Sequence, residues 1–334
     1  MGFYTDKKIL VTGATGTIGR HLVNRLLRDR PKVIRVYSRD EFKQYEMSLD
    51  LAENAKQMRY LIGDVRDLQR LSRAMEDIDY VFHLAAMKHV PFCEYNPFEA
   101  VQTNVIGTQN VIQAAIQNTV QKVLFTSTDK AISPTNTYGA TKLMGERLIS
   151  AAEHQKGPSR TILSSVRFGN VMGSRGSVIP LFIRQIRSGK RITITDPSMV
   201  RYMMTPGQAI DLILKANELA QGGEVFVLKM PIVRITDLAE IVIEETKKRY
   251  GIQESIKIET IGIRPGEKRY EELMSDEEKV DAIETDEMYI LGSIYNKKAD
   301  WDKFGRHYDE SSEYQEAIGK EVLRDWLLTE NLIQ

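Results

Sequence analysis

The sequence predicts an α/β fold in which helices cover both faces of a doubly wound, parallel sheet, with a smaller C-terminal lobe. In the first half of the 334-residue chain, short runs rich in β-branched residues alternate with longer runs of helical period. Such alternation is typical of a parallel sheet, because a helical crossover returns the chain to the start of the next strand. The chain is long enough for one large domain or for two closely joined ones.

The predicted elements follow a regular order up to about Asn170. The six strand-like runs are KKILVT, KVIRVYS, MRYLIG, DYVFHLA, QKVLFTS and TILSSVRFG. Helical period marks IGRHLVNRLLRD, LQRLSRAME and AVQTNVIGTQNVIQAAIQN, and a further helix begins near Tyr138. Later helices are predicted in GSRGSVIPLFIRQIRSGK, PGQAIDLILKANELA and RITDLAEIVIEETKKRYG. We therefore predict one domain over residues 1–170 and a smaller, closely packed lobe over residues 171–334.

Composition narrows the class of protein. The chain has 46 basic and 46 acidic residues, so a nucleic-acid or membrane-surface partner is not favoured. Its single cysteine, Cys93, cannot form an internal disulfide, which fits a reducing compartment. No signal peptide and no apolar run of about 18 residues is visible, so the cytoplasm is the predicted location. The five histidines lack metal-ligand spacing, so no metal is predicted, and His83 is expected to be a core residue.

A glycine-rich turn, VTGATGTIGR, directly follows the first predicted strand and opens the first helix. Gly13 permits the tight turn, Gly16 lets the backbone approach a pyrophosphate, and Gly19 lets the helix pack closely on the sheet. This context predicts a Rossmann-like dinucleotide site. The residues of this turn predicted to contact the cofactor are Gly13, Thr15, Gly16, Thr17, Ile18 and Gly19.

The end of the second strand bears on the choice of dinucleotide. Ser38 and Arg39 stand where NAD-binding folds carry an acidic residue for the ribose hydroxyls. An arginine and a hydroxyl suit a 2′-phosphate, so NADP is the predicted cofactor, although Asp40 leaves NAD possible. Further cofactor contacts are predicted after the third and fourth strands, from Asp64, Val65, Ala85 and Lys88, and later in the chain from Tyr138 and Lys142.

Tyr138 and Lys142 are four residues apart on a predicted helix, and the hydroxyl of Thr128 lies upstream. With the glycine-rich turn, this pattern resembles the extended short-chain dehydrogenase/reductase superfamily from Lys7 to Asn170. A lysine ammonium beside the phenol, together with a positive nicotinamide, would lower the pKa of Tyr138. Tyr138 could then take the proton of a hydroxyl that is being oxidised.

The pair Asp129–Lys130 is not needed for simple oxidation. In this superfamily, sugar-nucleotide 4-epimerases carry small or neutral residues at these positions, and hexose 4,6-dehydratases carry an acidic pair. The stretch STDKAISPTNTYGATK is similar to the UDP-N-acetylglucosamine 4,6-dehydratases, especially the C5-inverting branch of pseudaminic acid synthesis. Supporting stretches, which reach about residue 275, are YSRDEFKQ, GDVRD, AAMKHVPFCEYNP, TNVIGTQNV, RFGNVMGSRGSVIP, ITDPSMVRYMM and GIRPGEK.

The resemblance implies a role for each group of the pair. Oxidation at sugar carbon 4 acidifies the hydrogen on carbon 5, which Lys130 would remove while Asp129 protonates the departing carbon-6 hydroxyl. The hydride then returns to carbon 6, so NADP can stay bound. Burial would raise the pKa of Asp129 and lower that of Lys130, as these roles need, whereas mutual ion pairing would do the opposite.

The resemblance also implies a UDP-sugar site, drawn mainly from the second half of the chain. Arginines and a glycine-rich backbone suit a diphosphate, and Glu267 suits a ribose hydroxyl. The residues predicted to bind the substrate are Lys88, Asn170, Arg175, Ser177, Thr195, Arg201, Arg264 and Glu267.

Several alternatives remain open from the sequence. A dehydratase that retains the configuration at carbon 5, or one that releases the 5,6-ene, would carry the same residues. A UDP-sugar 4-epimerase needs only Tyr138 and Lys142, and an NADP-sensing regulator of the same fold would usually lack one of them. The resemblance further implies a homo-oligomer.

Overall fold

The computed structural model describes residues 2–263, 266–268, 270–293, 301–309 and 316–333. The strands are β1 (Lys8–Thr12), β2 (Val33–Ser38), β3 (Met58–Ile62), β4 (Tyr80–His83), β5 (Lys122–Thr126), β6 (Ile162–Arg167), β7 (Asn170–Val171), β8 (Ile192–Ile194), β9 (Val200–Met204), β10 (Val225–Leu228), β11 (Ile232–Arg234), β12 (Ile258–Thr260), β13 (Ile283–Glu284), β14 (Met288–Leu291) and β15 (Arg306–His307). The α-helices are α1 (Thr17–Arg28), α2 (Glu41–Asp50), α3 (Leu68–Met75), α4 (Val90–Tyr95), α5 (Pro97–Ala100), α6 (Gly107–Gln117), α7 (Thr137–Gln155), α8 (Val178–Arg187), α9 (Pro206–Leu219), α10 (Ile235–Tyr250), α11 (Asp276–Val280) and α12 (Lys320–Thr329).

Ten of these strands form one sheet, in the order β15-β13-β14-β10-β6-β5-β4-β1-β2-β3. From β10 to β3 every neighbouring pair is parallel, while β13, β14 and β15 pair antiparallel at the other edge. Strand order reverses between β1 and β4, which opens a crevice at the carboxyl ends of the strands. The predicted α/β fold with a doubly wound parallel sheet is confirmed, as are all six predicted strands of the first half.

Both faces of the sheet are buried. Along β1, Ile9 and Val11 pack into one hydrophobic cluster and Leu10 into another on the opposite face. The first cluster includes Leu22 of α1 and Ile213 of α9, and the second is formed with α3, α6 and α7. This explains why the strands are apolar along their whole length rather than alternating.

The second half of the chain contributes to two parts of the molecule. Four of its strands, β10, β13, β14 and β15, extend the main sheet. A third hydrophobic cluster is built only from residues between Met172 and Ile333, mainly of α8, α10 and α12. The division into residues 1–170 and 171–334 stays a prediction, and the main sheet crosses it.

The predicted helix over AVQTNVIGTQNVIQAAIQN is interrupted. A π-helical segment, Val101–Ile106, separates α5 from α6. Within it the buried Asn104 bonds both backbone groups of Met87 through its side-chain amide, at 2.8 and 3.0 Å, and also the hydroxyl of Thr141. The wider turn therefore fixes the loop that follows β4, a common use of π-segments near functional sites.

Within the described part of the chain, none of the helices combines the length and the apolar character that a membrane span requires.

Candidate active site

Three adjoining cavities form one cleft at the carboxyl ends of the parallel strands. Cavity A, of about 640 Å³, extends from the glycine-rich turn to Lys88. Cavity B, of about 360 Å³, shares Lys88 with cavity A and contains Tyr138. Cavity C, of about 290 Å³, shares Lys130 and Asn170 with cavity B and lies against α8 and β9. The cleft therefore has two ends, joined at the predicted catalytic residues.

The predicted cofactor residues other than Tyr138 and Lys142 all line cavity A. They are Gly13, Thr15, Gly16, Thr17, Ile18, Gly19, Ser38, Arg39, Asp64, Val65, Ala85 and Lys88. Helix α1 begins here without a side-chain cap and without an acidic residue in its first turn. Its first backbone N–H groups are thus available to an anionic group, which fits the pyrophosphate of a dinucleotide.

Two glycines in this turn are required by close packing. Gly13 has φ of +69°, and a Cβ there would lie 2.8 Å from the backbone nitrogen of Ala85. A Cβ at Gly19 would lie 2.5 Å from the Cα of Ala14. Only glycine therefore lets the turn pack against the segment after β4 at Gly13, and lets α1 pack against the turn at Gly19.

The far end of cavity A is rich in cations. Arg39 is 57% exposed and lies 3.6 Å from Asp64, while Lys43 and Arg175 also line the wall. Asp40 caps α2 by accepting a hydrogen bond from the backbone nitrogen of Lys43, and it also pairs with the Lys43 side chain. These bonds from Lys43, with the charge of Arg175, lower the pKa of Asp40. The Asp40 carboxylate is thus already paired with Lys43, in the first turn of the helix that it caps.

Asp64 and Val65 occupy the wall after β3. The guanidinium of Arg66 lies 2.7 Å from Asp64 Oδ2. Burial disfavours the charged form of Asp64, but the hydrogen bonds from Arg66 outweigh it and lower the pKa of that carboxyl. Val65 is buried beneath the cavity, and the backbone carbonyls of Val65 and Arg66 accept hydrogen bonds from Asn110.

Lys88 lies where cavities A and B meet. Its side chain remains accessible through the open cleft, yet the surrounding protein removes part of its hydration. This desolvation, together with the charge of Arg175, lowers the pKa of Lys88. Lys88 therefore borders both cavities, and its contacts with cofactor and substrate stay a prediction.

Two elements bring the predicted catalytic residues together: Thr128, Lys130, Tyr138 and Lys142 line cavity B, and Asp129 is buried beside them. Thr128, Asp129 and Lys130 follow β5, and the last two lie in a 3₁₀ turn. Tyr138 and Lys142 lie in the first turns of α7, whose N-cap, Asn136, accepts a hydrogen bond from the backbone nitrogen of Gly139. A Cβ at Gly139 would overlap the carbonyl oxygen of Lys130, so this glycine lets α7 pack directly on the turn.

Burial dominates the pKa values of the tyrosine and its lysine. It raises the pKa of Tyr138 to about 12, although the charge of Lys130 and a hydrogen bond with Thr128 oppose the shift. It lowers the pKa of Lys142 to about 7, against the charge of Glu146. The Lys142 ammonium lies 4.1 Å from the centroid of the Phe125 ring. The protein's own groups therefore raise the pKa of Tyr138, whereas the sequence analysis predicted that it would be lowered.

The buried Asp129 forms an ion pair with the partly buried Lys130, with 3.1 Å between Lys130 Nζ and Asp129 Oδ1. Burial disfavours both charges, but the ammonium lowers the pKa of Asp129, and Asp129 and Glu271 raise that of Lys130. These directions are opposite to those that a lysine base and an aspartic acid need. Of the two predicted possibilities, ion pairing prevails over desolvation in this arrangement.

Glu271 is a third ionisable group in this cluster, and the sequence did not single it out. Its Oε1 lies 2.9 Å from Lys130 Nζ and 3.4 Å from Arg201 Nε, and its Oε2 accepts a hydrogen bond from Asn170. Burial and the charge of Asp129 raise the pKa of Glu271. Glu271 and the exposed Glu272 are adjacent in EELM, so only their burial distinguishes them.

The predicted substrate residues divide between the cavities. Asn170, Ser177, Thr195, Arg201 and Glu267 line cavity C, and Lys88 lines cavities A and B. Arg201 Nη2 lies 3.3 Å from Glu267 Oε1. Arg264 lies outside the described residues.

Arg175 differs from the predicted substrate group, because it lines cavity A rather than cavity C. Its backbone nitrogen donates to the hydroxyl of Thr17 at 3.1 Å, and its guanidinium donates to the carbonyl of Thr15. The loop of residues 173–177 is thereby tied to the glycine-rich turn. A pattern in the sequence could not reveal this, since the two segments are more than 150 positions apart.

His83 is a core residue, as predicted. Its ring nitrogens lie 2.8 Å from the hydroxyl of Thr12 and 3.1 Å from that of Thr108. Burial lowers its pKa to about 3.

Comparison with known proteins shows which protein family the chain matches and which solved structures it is similar to. A family model described as polysaccharide biosynthesis protein matches residues 9–293. The X-ray structure of Pen from Bacillus thuringiensis is 52% identical, covers 100% of both chains and superposes with a TM-score of 0.93. The complex of MoeE5 with UDP-glucuronic acid and NAD is 26% identical, with a TM-score of 0.65, and covers 78% of this chain and 88% of that one.

The names of curated relatives differ. An uncharacterized membrane protein of Methanocaldococcus jannaschii is 53% identical over 86% of each chain. A UDP-glucose 4-epimerase of Rickettsia typhi is 44% identical over 84% of this chain and 81% of its own. An inverting UDP-N-acetylglucosamine 4,6-dehydratase of Campylobacter jejuni is 43% identical over 86% of this chain and 83% of its own.

Proposed function

The chain belongs to the polysaccharide biosynthesis protein family, as an enzyme of the nucleotide-sugar dehydratase and epimerase type, and on that premise we propose a UDP-N-acetylglucosamine 4,6-dehydratase. The proposed reaction inverts carbon 5 and yields water and a UDP-4-keto-6-deoxy-N-acetylhexosamine. The enzyme is then an NADP-dependent lyase. Its pathway, proposed to be that of pseudaminic acid, follows from the resemblance of the catalytic stretch.

The observation that carries this proposal is the position of Asp129 and Lys130. Both lie on the turn that α7 packs against, and their charges act on Tyr138. Lys130 lines cavity B together with Tyr138, and Asp129 is buried directly behind it. An epimerase oxidises and reduces the same carbon, so it needs no additional base or acid for a neighbouring carbon. An ionisable pair placed next to the tyrosine favours the dehydratase over the epimerase named among the relatives.

The chain's own residues would divide the reaction between them. The chemistry supplied by a bound nicotinamide cofactor is reversible hydride transfer with the sugar. Tyr138 would take the proton of the carbon-4 hydroxyl, with Thr128 hydrogen-bonded to it. Lys130, as the neutral amine, would remove the carbon-5 proton, and a carboxyl group at Asp129 would protonate the carbon-6 oxygen. Lys130 must first lose the proton that its ion pair stabilises.

Cavity C supports binding of the nucleotide part of the substrate. Arg201 can pair with a phosphate, and the carboxylate of Glu267 can accept a hydrogen bond from a ribose hydroxyl. Asn170, Ser177 and Thr195 add polar groups to the same cavity. Lys88 is placed to contact either ligand where cavities A and B meet.

Incubation with UDP-N-acetylglucosamine in deuterated water, followed by NMR, tests the proposal. We expect a 4-keto-6-deoxy product with deuterium at carbon 5 and inverted configuration there. Recovery of unchanged substrate would exclude the dehydratase, and the carbon-4 epimer alone would establish the epimerase. Retained configuration or a released 5,6-ene would correct only the later steps.

We expect the wild-type chain to bind NADP more tightly than NAD. Arg39, Lys43 and Arg175 surround the expected position of a 2′-phosphate, and Asp40 is engaged by Lys43. Replacement of Arg39 by Asp should weaken NADP binding about 10- to 100-fold, because a charge-assisted contact becomes a repulsive one. Calorimetric titration with each dinucleotide measures the preference.

The exposed Lys56 provides the control for this charge change, since Lys56→Asp alters the net charge equally but lies outside cavity A. An Arg39→Asp protein that binds NADP as tightly as the wild type would argue against NADP selection by this residue.

Homo-oligomerisation is also proposed. Phe92, Tyr95 and Phe98 on α4 and α5 are 66, 87 and 67% exposed, and Met144 on α7 is 50% exposed. Apolar side chains in such number favour burial against another surface. Sedimentation equilibrium would measure the association.

A further inference from the structure

The side chain of Glu271 is only 4% exposed and contacts three other elements. It reaches Lys130 in the turn after β5, Asn170 in β7 and Arg201 in β9. None of these contacts is needed to close the hydrophobic core, because all of them lie on the wall of cavity C. A buried carboxyl on the wall of a cleft, in contact with the proposed base, calls for a chemical explanation.

The Asp129 carboxyl completes the arrangement. Its Oδ1 accepts hydrogen bonds from the Thr128 hydroxyl at 2.8 Å and from the Lys130 backbone nitrogen at 2.9 Å. Its Oδ2 is buried and meets no conventional donor among the described residues. The carboxyl groups of Asp129 and Glu271 lie close enough to influence each other's protonation, and a hydrogen bond between them forms when one of them carries a proton. A proton on Glu271 would satisfy Asp129 Oδ2.

The charges around Glu271 allow it to hold that proton near neutral pH. Among the residues that the structure describes, the charged groups that face it are Lys130, Arg201 and Asp129, and Arg201 is shared with Glu267. Burial raises the pKa of Glu271 to about 7, and the negative Asp129 adds to the effect while Lys130 and Arg201 oppose it. Two like-charged carboxyls in one site commonly separate in this way.

We propose that Glu271 is a positioning residue of the elimination step, which exchanges a proton with Lys130 and shares one with Asp129. This inference rests on the proposed dehydratase function and adds a residue to it. Glu271 acts through Lys130 and Asp129 and need not touch the reacting carbons.

The elimination step balances if a single proton moves among Lys130, Glu271 and Asp129. In the ion-paired state the proton is on Lys130 and both carboxyls are ionised. Its transfer over the 2.9 Å to Glu271 Oε1 leaves a neutral amine and one carboxyl proton, which is shared with Asp129. The amine then takes the carbon-5 proton, the released electron pair forms the 5,6 double bond, and the carbon–oxygen bond at carbon 6 breaks. The carboxyl proton joins the departing hydroxide as water, so the cluster returns to its ion-paired state.

Replacement of Glu271 by Gln preserves the shape but removes the proton-exchanging group. We expect the carbon-4 oxidation, followed as reduced nicotinamide in a single turnover, to change by less than about threefold. Release of water, followed by NMR of the product, should slow about 100- to 1,000-fold, within the range that a positioned proton donor or acceptor contributes. The neighbouring, exposed Glu272 provides the matched control, and Glu272→Gln should retain both rates. Thermal melting of each variant checks the fold.

The pattern of rates decides the role. A Glu271→Gln protein with wild-type water elimination overturns the proposal, as does one that loses oxidation and elimination equally while still binding the cofactor. Partial recovery of elimination in Glu271→Asp, with the oxidation rate unchanged, supports a proton-exchanging carboxyl over a purely structural side chain.

A second readout does not depend on turnover. Carbon-13 NMR of labelled glutamate should show a carboxyl that titrates near pH 7 in the wild type and in Glu272→Gln and that disappears in Glu271→Gln. The buried Glu224, whose pKa burial also raises to about 7, should titrate in all three proteins. In Asp129→Asn the titration of Glu271 should move to lower pH, because the neighbouring negative charge is gone. Absence of the Glu271 titration overturns the shared proton. Its presence in a chain that leaves UDP-N-acetylglucosamine unchanged supports the arrangement and rejects only the proposed function.

Discussion

Replacement of Lys130 by Met is expected to abolish water elimination, by about 10²- to 10⁴-fold, while leaving cofactor binding intact. The loss follows because the methionine cannot take a proton from carbon 5. Binding is preserved because Lys130 lies on the walls of cavities B and C but not of cavity A. Product formation by NMR and NADP binding by calorimetry measure the two effects.

The variant Lys130→Arg separates the positive charge of residue 130 from its ability to act as a base. An arginine keeps a cation between Asp129 and Glu271, so the fold should remain near wild-type stability. The methionine instead removes the cation that Asp129 pairs with and leaves Glu271 paired with Arg201. Arginine stays protonated at any relevant pH, so elimination should still be lost. Near-normal turnover in either variant would rule out Lys130 as the base.

Replacement of Arg167 by Met is expected to lower the free energy of unfolding by about 3–5 kcal/mol. The side chain of Arg167 is 1% exposed and pairs in bidentate fashion with Glu146 and Glu278, at 2.7–3.0 Å. Its loss leaves two carboxylates without their cation. Urea denaturation at neutral pH measures the change.

At acidic pH, the difference in unfolding free energy between the wild type and Arg167→Met should become smaller. Burial disfavours the charged form of Glu278, but Arg167 outweighs it and lowers the pKa of that carboxyl below its ordinary 4.5. A depressed carboxyl pKa contributes stability above the ordinary value and loses it as the pH falls through the folded value. The wild type should therefore lose its advantage over Arg167→Met below about pH 4.5.

An exposed pair serves as the control. Arg191 and Glu259 are 2.9 Å apart but 66 and 39% exposed, so Arg191→Met should leave stability close to that of the wild type. Equal effects of the two substitutions would mean that burial of the Arg167 pairs adds nothing.

The sequence was sufficient for the features that local chemistry determines. Apolar strands and glycine spacing predicted the parallel sheet and the turn at Gly13, because packing against Ala85 permits no side chain there. Tyr138 and Lys142 were predicted from helical spacing, and they do occupy the first turns of one helix. Such features depend on residues close together in the chain.

Features that depend on distant segments were not predicted. Glu271 meets Lys130 across 141 positions, and its neighbour Glu272 has the same chemistry without the burial. Similarly, the position of Arg175 beside Thr15 and Thr17 depends on how a late loop returns to the first turn. The opposing effects of burial and ion pairing on Asp129 could be stated in advance, but only the 3.1 Å contact decides between them.

The loop of residues 173–177 has a consequence for the residence time of the dinucleotide. Ser177 of this loop lines cavity C, while Arg175 of the same loop is bonded to the glycine-rich turn in cavity A. Exit of a ligand from beneath Arg175 would therefore require the same loop to lift from Thr15 and Thr17. A reaction that regenerates its own oxidant in each cycle does not require that exit, so turnover should continue on a single retained dinucleotide after the free pool is removed.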